Sequence, residues 1–347
     1  MKRVWAFILL AGITLAEENS LSLYYTSFDY GNHPNNHFTS LYLDTGKTLS
    51  FYAGDLDLHL GLNALAVLGK SDDFHLFESI ESDKALITSL SLDYYPTYQT
   101  LLGIGRHAMK LNLLNGSFDG ILAAGEYDTL SVRAFYFDRY ALLYPSYYIN
   151  RELDDLFGIY LHYERGMLEG ELTCFSYDAH QVSDLYLALH TAKLTLGMEH
   201  LSFDSDLYEN EKAYKTSLGY RHQKLYAELG YYSVYEGALE HIFDLGGSEF
   251  RHFRLHGFHD KYDAKNLYLD LIYTDRSYYA DLYIGHTEFA YRWEPEHSYT
   301  NKELGVTLGW RSEDVTLSAT LLTQKSDEPW AARERTTWIQ TQLKVRF

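Results

Sequence analysis

Short segments in which apolar and polar side chains alternate recur along the whole chain. Aliphatic and aromatic residues form one face of segments such as 55–66, 157–164, 267–271 and 303–310, while the other face carries charged, hydroxyl and glycine residues. The C-terminal segment 337–347 repeats the pattern with Ile339, Leu343 and Val345 on its apolar face. A period of two over about ten residues is typical of strands that meet lipid on one face and water on the other. The sequence therefore predicts an all-β fold, a transmembrane antiparallel β-barrel.

Eighteen segments fit this pattern, and we expect about 18 strands, in the range 16–18. An even number places both ends of the barrel domain on the same side of the membrane. The pattern is weakest in segment 38–52, where Asp44-Thr45-Gly46-Lys47 could itself form a turn. The predicted strands are 20–30, 38–52, 55–68, 84–94, 97–106, 120–127, 129–138, 156–164, 167–177, 183–190, 193–203, 213–221, 223–235, 266–275, 278–290, 301–310, 314–323 and 336–346.

The links between the predicted strands alternate in length. Barrels of this class have short periplasmic turns and longer extracellular loops, so we assign the two sets of links to opposite sides of the membrane. The short links are 127–128, 164–166, 191–192, 222, 275–277 and 311–314. The long links are 107–119, 139–155, 204–212, 236–265, 292–300 and 325–335.

The first 16 residues predict a secretory signal peptide. Lys2 and Arg3 precede an apolar run from Val4 to Leu10, and Thr14-Leu15-Ala16 lies just before Glu17. No later segment has the roughly 18 consecutive apolar residues of a helical membrane span. We therefore expect a leader over 1–16 and a single barrel domain over 17–347, since no linker or fixed repeat divides the chain.

Composition limits the possible partners. The chain has 48 acidic against 29 basic residues, a formal net charge of −19, which argues against nucleic acid as a partner. Its single cysteine, Cys174, excludes an internal disulfide and is interpreted as a small wall residue. The 33 tyrosines are consistent with aromatic belts at the two membrane interfaces.

A barrel of 16 to 18 strands encloses a water-filled channel, because its own side chains do not fill it. Alternation assigns a set of charged side chains to the inner face, where we expect them to line the pore. The acidic members outnumber the basic ones, and a lining that is acidic on balance favours cations. The predicted pore-lining residues are Asp57, Asp93, Arg133, Glu164, Lys215, Arg221, Glu228, Asp270, Asp281, Glu303, Lys344 and Arg346.

Two stretches resemble outer-membrane porins of the Opr type, an eighteen-stranded bacterial porin-like family. Leu102-Gly103-Ile104-Gly105-Arg106-His107 resembles a strand end of that family, and Asn115-Gly116-Ser117-Phe118-Asp119-Gly120-Ile121 resembles the return after the loop. The terminal Phe347 resembles the assembly signal of bacterial outer-membrane proteins. The resemblance implies a barrel in the bacterial outer membrane, often a trimer, with extracellular loops folded inward to constrict the pore. The motif residues are Gly105, Arg106, Phe118, Asp119 and Gly120.

We therefore expect a channel for passive diffusion of small hydrophilic solutes or ions, with a mild cation preference and no cofactor. The expected partners are outer-membrane lipid, lipopolysaccharide, the barrel assembly machinery, the permeating solutes and, in a homotrimer, further copies of the chain. The alternative is a non-conducting surface barrel that acts as an adhesin or structural protein.

Enzymatic activity is not expected. A barrel hydrolase would use a pair such as His107 with Ser117, or His162 with Glu164, but no compact nucleophile motif accompanies either pair. His252, His256, His259 and Asp260 are residue types that ligate metals, but we interpret this stretch as a His-rich surface loop.

Overall fold

In a computed structural model, the chain forms one sheet of eighteen antiparallel strands that closes on itself. Each strand pairs with the next in the chain, and β1 (Glu18–Tyr30) also pairs with β18 (Arg335–Arg346), with Ser20 opposite Arg346. The predicted all-β barrel and its strand count are therefore confirmed. No helix in the described residues is long and apolar enough to cross a membrane. The structure describes residues 18–30, 36–51, 54–69, 84–111, 113–143, 148–237, 245, 261–291, 293–327 and 335–346.

The strands between these two follow in chain order. They are β2 (Asn36–Phe51), β3 (Gly54–Gly69), β4 (Lys84–Thr97), β5 (Thr100–Lys110), β6 (Asn115–Tyr127), β7 (Leu130–Leu143), β8 (Tyr148–Arg165), β9 (Leu168–Tyr177), β10 (His180–His190), β11 (Leu194–Ser205), β12 (Glu211–His222), β13 (Leu225–Glu236), β14 (Lys261–Thr274), β15 (Tyr278–Tyr291), β16 (Glu294–Arg311) and β17 (Val315–Ser326).

One end of the barrel carries the short turns, and we call it the short-turn end. The turns there include residues 98–99, 128–129, 166–167, 191–193 and 223–224. Asp128, Gly166 and Gln223 adopt positive φ values of 47°, 62° and 53°, which a two-residue turn between antiparallel strands requires. The other end is the long-link end, and links 206–210, 237–260 and 327–334 confirm three of the long links expected there.

Three other expected long links were wrong, because the strands continue through most of their length. Only residues 111–114 separate β5 from β6, 144–147 separate β7 from β8, and 292–293 separate β15 from β16. The β7–β8 ladder passes through a register shift between Phe137 and Arg139, where Asp155 has a φ of 52°. Alternation of side chains is lost at such a bulge, although the backbone pairing goes on. The turn considered at Asp44–Lys47 was also wrong, since these residues pair with Gly61 to Leu58 inside β2 and β3.

The two faces of the sheet differ in polarity. Leu58, Leu90, Ile104, Leu196 and Leu229 are exposed on the outer face, where an apolar band would contact lipid. On the inner face, the polar side chains lie nearer the short-turn end. Toward the long-link end, inward side chains of β5–β16 form a buried apolar cluster that we call the aromatic tier. Its members include Met109, Phe118, Phe135, Phe137, Tyr140, Phe175, Phe203, Tyr232, Phe289, Tyr291 and Tyr299.

The link between β5 and β6 packs into the aromatic tier. Leu113 and Leu114 are fully buried there, and Leu245 of the link 237–260 is buried beside them. The backbone N–H of Asn115 donates to the carbonyl of Leu245 over 3.0 Å. Two links from the long-link end therefore meet inside the barrel and narrow its interior.

Candidate functional site on the inner wall

A group of acidic side chains lies on the inner face of β11–β16, next to the aromatic tier. We call it the acidic belt, and it comprises Glu199, Glu228, Asp270, Asp281 and Glu303. Glu228 and Asp270 are directly opposite each other in the β13–β14 ladder. Like charges in this position repel each other and destabilise a sheet, so their presence needs compensation from the surroundings.

Lys215 of β12 supplies part of that compensation. Its Nζ lies 3.9 Å from Glu199 Oε2 and 3.9 Å from Glu228 Oε1. It also lies 5.7 Å from the ring centroid of Tyr268, within reach of a cation–π interaction. Five carboxylates and one lysine leave the belt negative when the carboxylates are ionised.

Tyrosine hydroxyls hold the belt carboxylates in place. Tyr268 donates to Glu228 Oε1 over 2.6 Å, and Tyr226 donates to Glu228 Oε2 over 2.7 Å. Tyr283 stacks on Tyr268 with ring centroids 5.8 Å apart, and Asn301 donates to Glu303 Oε1 over 3.1 Å. Hydrogen bonds to an ionised acceptor are stronger than neutral ones, so these contacts fix where the negative charge sits.

A second acidic group lies across the barrel on β3–β5. Asp57 and Asp93 are directly opposite each other in the β3–β4 ladder. His59 Nε2 lies 3.6 Å from Asp93 Oδ2, and His107 Nδ1 lies 3.7 Å from Asp93 Oδ1. Gly103 makes room for this group, because a Cβ there would lie 2.5 Å from Asp93 Oδ1. Imidazoles on both sides of Asp93 can therefore balance its charge when they are protonated.

The twelve predicted charged residues occupy strand positions that alternate with the exposed outer-face positions and therefore face inward, and their role in lining a pore stays a prediction. The structure brings Lys215, Glu228 and Asp270 into one group, and Asp57 and Asp93 into another. Arg221 contacts the acidic belt through Tyr226, the tyrosine that donates to Glu228. Arg133 stacks over Tyr160 and Arg221 over Tyr226, each 5.6 Å from the ring centroid. Glu164 is exposed at the short-turn end, and Lys344 and Arg346 share the face of β18 that carries Gln340 and Gln342.

The residues that resemble the Opr-type motif form a separate contact. Arg106 donates from Nε and Nη2 to the two carboxylate oxygens of Asp119, each over 2.5 Å, and its Nη1 donates to the carbonyl of Ile87 over 3.1 Å. Arg106 shares the outer face of β5 with Leu102 and Ile104, so this pair braces the wall and does not line the lumen. Gly105 and Gly120 are opposite each other in the ladder, and Phe118 is buried in the aromatic tier.

Several predicted residues lie outside the described part of the chain. These are the predicted leader over 1–16, Phe347 and the four metal-ligating residue types His252, His256, His259 and Asp260. Sequence reasoning also missed the tyrosines that hold the acidic belt. Tyr268 lies two positions from Asp270, and Tyr226 two positions from Glu228, so the same alternation that assigned the acids inward could have assigned these tyrosines too.

No protein-family profile and no curated protein sequence matches the chain. Solved structures share its fold over almost its whole length. OccAB3 of Acinetobacter baumannii superposes with a TM-score of 0.76 at 12% identity, covering 95% of this chain and 99% of that one. OpdK of Pseudomonas aeruginosa, solved with vanillate, has a TM-score of 0.74 at 12% identity, covering 95% and 98%. OccK8 (OprE) of Pseudomonas aeruginosa has a TM-score of 0.73 at 10% identity, covering 95% and 98%. The resemblance to Opr-type barrels is thus confirmed at the level of the fold.

Proposed function

From the fold shared with OccAB3, OpdK and OccK8, we propose that the chain is a porin of the bacterial outer membrane. It provides passive diffusion of small hydrophilic solutes or ions, with a preference for cations. The observation that carries this proposal is the acidic belt, a set of fixed carboxylates on the inner face of a closed barrel. Trimer formation, binding of lipopolysaccharide and recognition of Phe347 by the assembly machinery stay predictions.

The cation preference follows from the charge of the wall. Four of the five belt carboxylates are buried in the wall, and fixed negative charge in the wall of a water-filled passage raises the local concentration of cations there and lowers that of anions. Lys215 offsets part of the belt, and Arg133, Arg221, Lys344 and Arg346 offset more of it from other strands. We therefore expect a modest preference and not exclusion of anions.

Reversal potentials in a salt gradient across a planar bilayer test the proposal. The wild-type protein is compared with a variant carrying Asp270→Asn, Asp281→Asn and Glu303→Gln. A control variant carries Asp206→Asn, Glu313→Gln and Asp314→Asn, which remove the same charge from exposed links and turns. We expect the reversal potential to report cation preference in the wild type and the control, and to move toward zero in the belt variant.

The same measurement at molar salt checks the electrostatic origin. The screening length falls to about 3 Å there, so the preference should weaken. Anion preference in the wild type, or an unchanged potential in the belt variant, would contradict the proposed route along the belt.

The aromatic tier favours a second candidate, a non-conducting surface barrel. Leu113, Leu114 and Leu245 bring apolar side chains from two links into the interior, where they reduce the space for water. Folded protein that gives no conductance steps in the bilayer would support this candidate and exclude the channel.

A further inference from the structure

A cluster of histidine and glutamate side chains lies on the inner wall at the short-turn end, apart from the acidic belt. His162 of β8 is directly opposite Glu171 of β9, and Glu169 lies two positions earlier on the same face. One ligand atom from each of these three residues lies within 4.8 Å of the others. We propose that His162, Glu169 and Glu171 bind a zinc-class divalent cation.

The spacing of the ligand atoms matches such an ion. Zn²⁺ binds imidazole nitrogen and carboxylate oxygen at about 2.0–2.2 Å, so neighbouring ligands in tetrahedral geometry lie about 3.3 Å apart. His162 Nδ1 lies 3.3 Å from Glu171 Oε1. This nitrogen is buried and makes no hydrogen bond within the described residues, even though the carboxylate is beside it. His162 Nδ1 and Glu171 Oε1 therefore have the spacing of two ligands that bind one ion.

A fourth side chain fixes the orientation of Glu169. His190 of β10 forms a hydrogen bond of 2.8 Å between Nε2 and Glu169 Oε2, while its Nδ1 lies 3.0 Å from the Thr195 hydroxyl. Outer partners of this kind hold metal ligands in position and raise affinity. His190 is therefore a positioning residue in this proposal, and the three residues of the cluster are the ligands.

The local charge favours a cation. Glu164 of β8 is directly opposite Glu169, so three carboxylates stand within two neighbouring strands. Like-charged residues in this register repel each other, and a divalent ion bound to Glu169 offsets that repulsion. The imidazole ligand selects zinc and similar transition metals, because Mg²⁺ and Ca²⁺ prefer sites made only of oxygen.

Calorimetric titration of the purified barrel tests the proposal. The protein carries no polyhistidine tag, is stripped of metal with a chelator, and is titrated with ZnCl₂ and separately with MgCl₂. We expect the wild type to bind about one Zn²⁺ per chain at this site and to bind Mg²⁺ far more weakly. His162→Gln and Glu171→Gln should each lower the Zn²⁺ affinity at least tenfold, and His190→Gln should lower it roughly ten- to a hundredfold.

Two control variants separate this site from other histidines. His286→Gln removes a histidine that lies 3.8 Å from one glutamate, Glu288, and belongs to no three-residue cluster in the described residues. The second control replaces His252, His256 and His259 by Gln. Both controls should keep the wild-type affinity, and heat-modifiable migration on gels shows that each variant is folded.

Three results would overturn the proposal. They are absence of saturable Zn²⁺ binding by the wild type, wild-type affinity in both His162→Gln and Glu171→Gln, and loss of binding in the His252/His256/His259 variant alone. None of these results depends on whether the barrel conducts ions, so failure of the metal site and failure of the proposed channel are distinguishable.

Discussion

Replacing Lys215 by methionine should destabilise the barrel by about 3–5 kcal/mol, the range measured when one partner of a buried ion pair is removed. The side chains of Lys215, Glu199 and Glu228 are 5%, 1% and 8% exposed, so water screens their interactions little. At 4 Å and an effective dielectric constant of 20, each attraction is worth about 4 kcal/mol before desolvation is counted. Lys215→Met keeps much of the side-chain volume and leaves two carboxylates without their shared cation.

Urea unfolding of the barrel in lipid vesicles, followed by tryptophan fluorescence, measures the effect. Lys302→Met is the matched control, because Lys302 is exposed on the outer face of β16, and it should change stability by about 0.5 kcal/mol or less. A triple variant that adds Glu199→Gln and Glu228→Gln should regain most of the loss, since it also removes the two carboxylates that Lys215 compensates. A loss below about 1 kcal/mol in Lys215→Met, or no recovery in the triple variant, would refute the assigned role of Lys215.

Two further predictions concern the ends of the barrel. A protease site inserted within 237–260 should be cleaved on intact cells, whereas one within 312–314 should be protected; cleavage at 312–314 alone would invert the orientation. At the short-turn end, Lys224 Nζ donates to Asp275 Oδ2 over 2.6 Å, and the backbone N–H of Arg276 donates to Asp275 Oδ1. These two hydrogen bonds hold the pKa of Asp275 below its ordinary value of 3.8. These interactions stabilise the folded protein fully at a pH above the ordinary pKa of the carboxyl. The stabilisation is lost as the pH falls through the lower pKa that Asp275 has in the folded protein. The stability difference between wild type and Asp275→Asn, measured by urea unfolding, should therefore vanish in strong acid; a difference that persists there would contradict the ion-pair origin.

The sequence alone predicts the wall of this barrel well, because alternation carries the information on each side chain's face. Asp57, Asp93, Asp270 and Glu303 lie on the inner face as their parity indicates. The alternation along one strand does not say which residue of the neighbouring strand lies opposite each of its residues. The opposition of Glu228 to Asp270, and of His162 to Glu171, follows from that register and could not be read from one strand.

The long-link end could be predicted less well, for a different physical reason. Residues 139–155 carry acids and aromatics without a period of two, which is typical of a loop, yet β7 extends to Leu143 and β8 begins at Tyr148, with a bulge in their ladder. The aromatic tier was also not predicted. Phe118, Phe135 and Phe137 are inward-facing and apolar, whereas the inner face was expected to carry a polar lining.

The pairing of β1 with β18 determines when this fold can be completed. Ser20 and Arg346 are neighbours in the ladder although almost the whole chain lies between them. Contacts between residues so distant in sequence carry a large entropic cost and form late. Until β18 arrives, the hydrogen-bonding edges of β1 and β17 stay open to other strands. The wall therefore cannot close while the chain is still being made or exported, and the growing barrel needs its free edge protected until the final strand seals it.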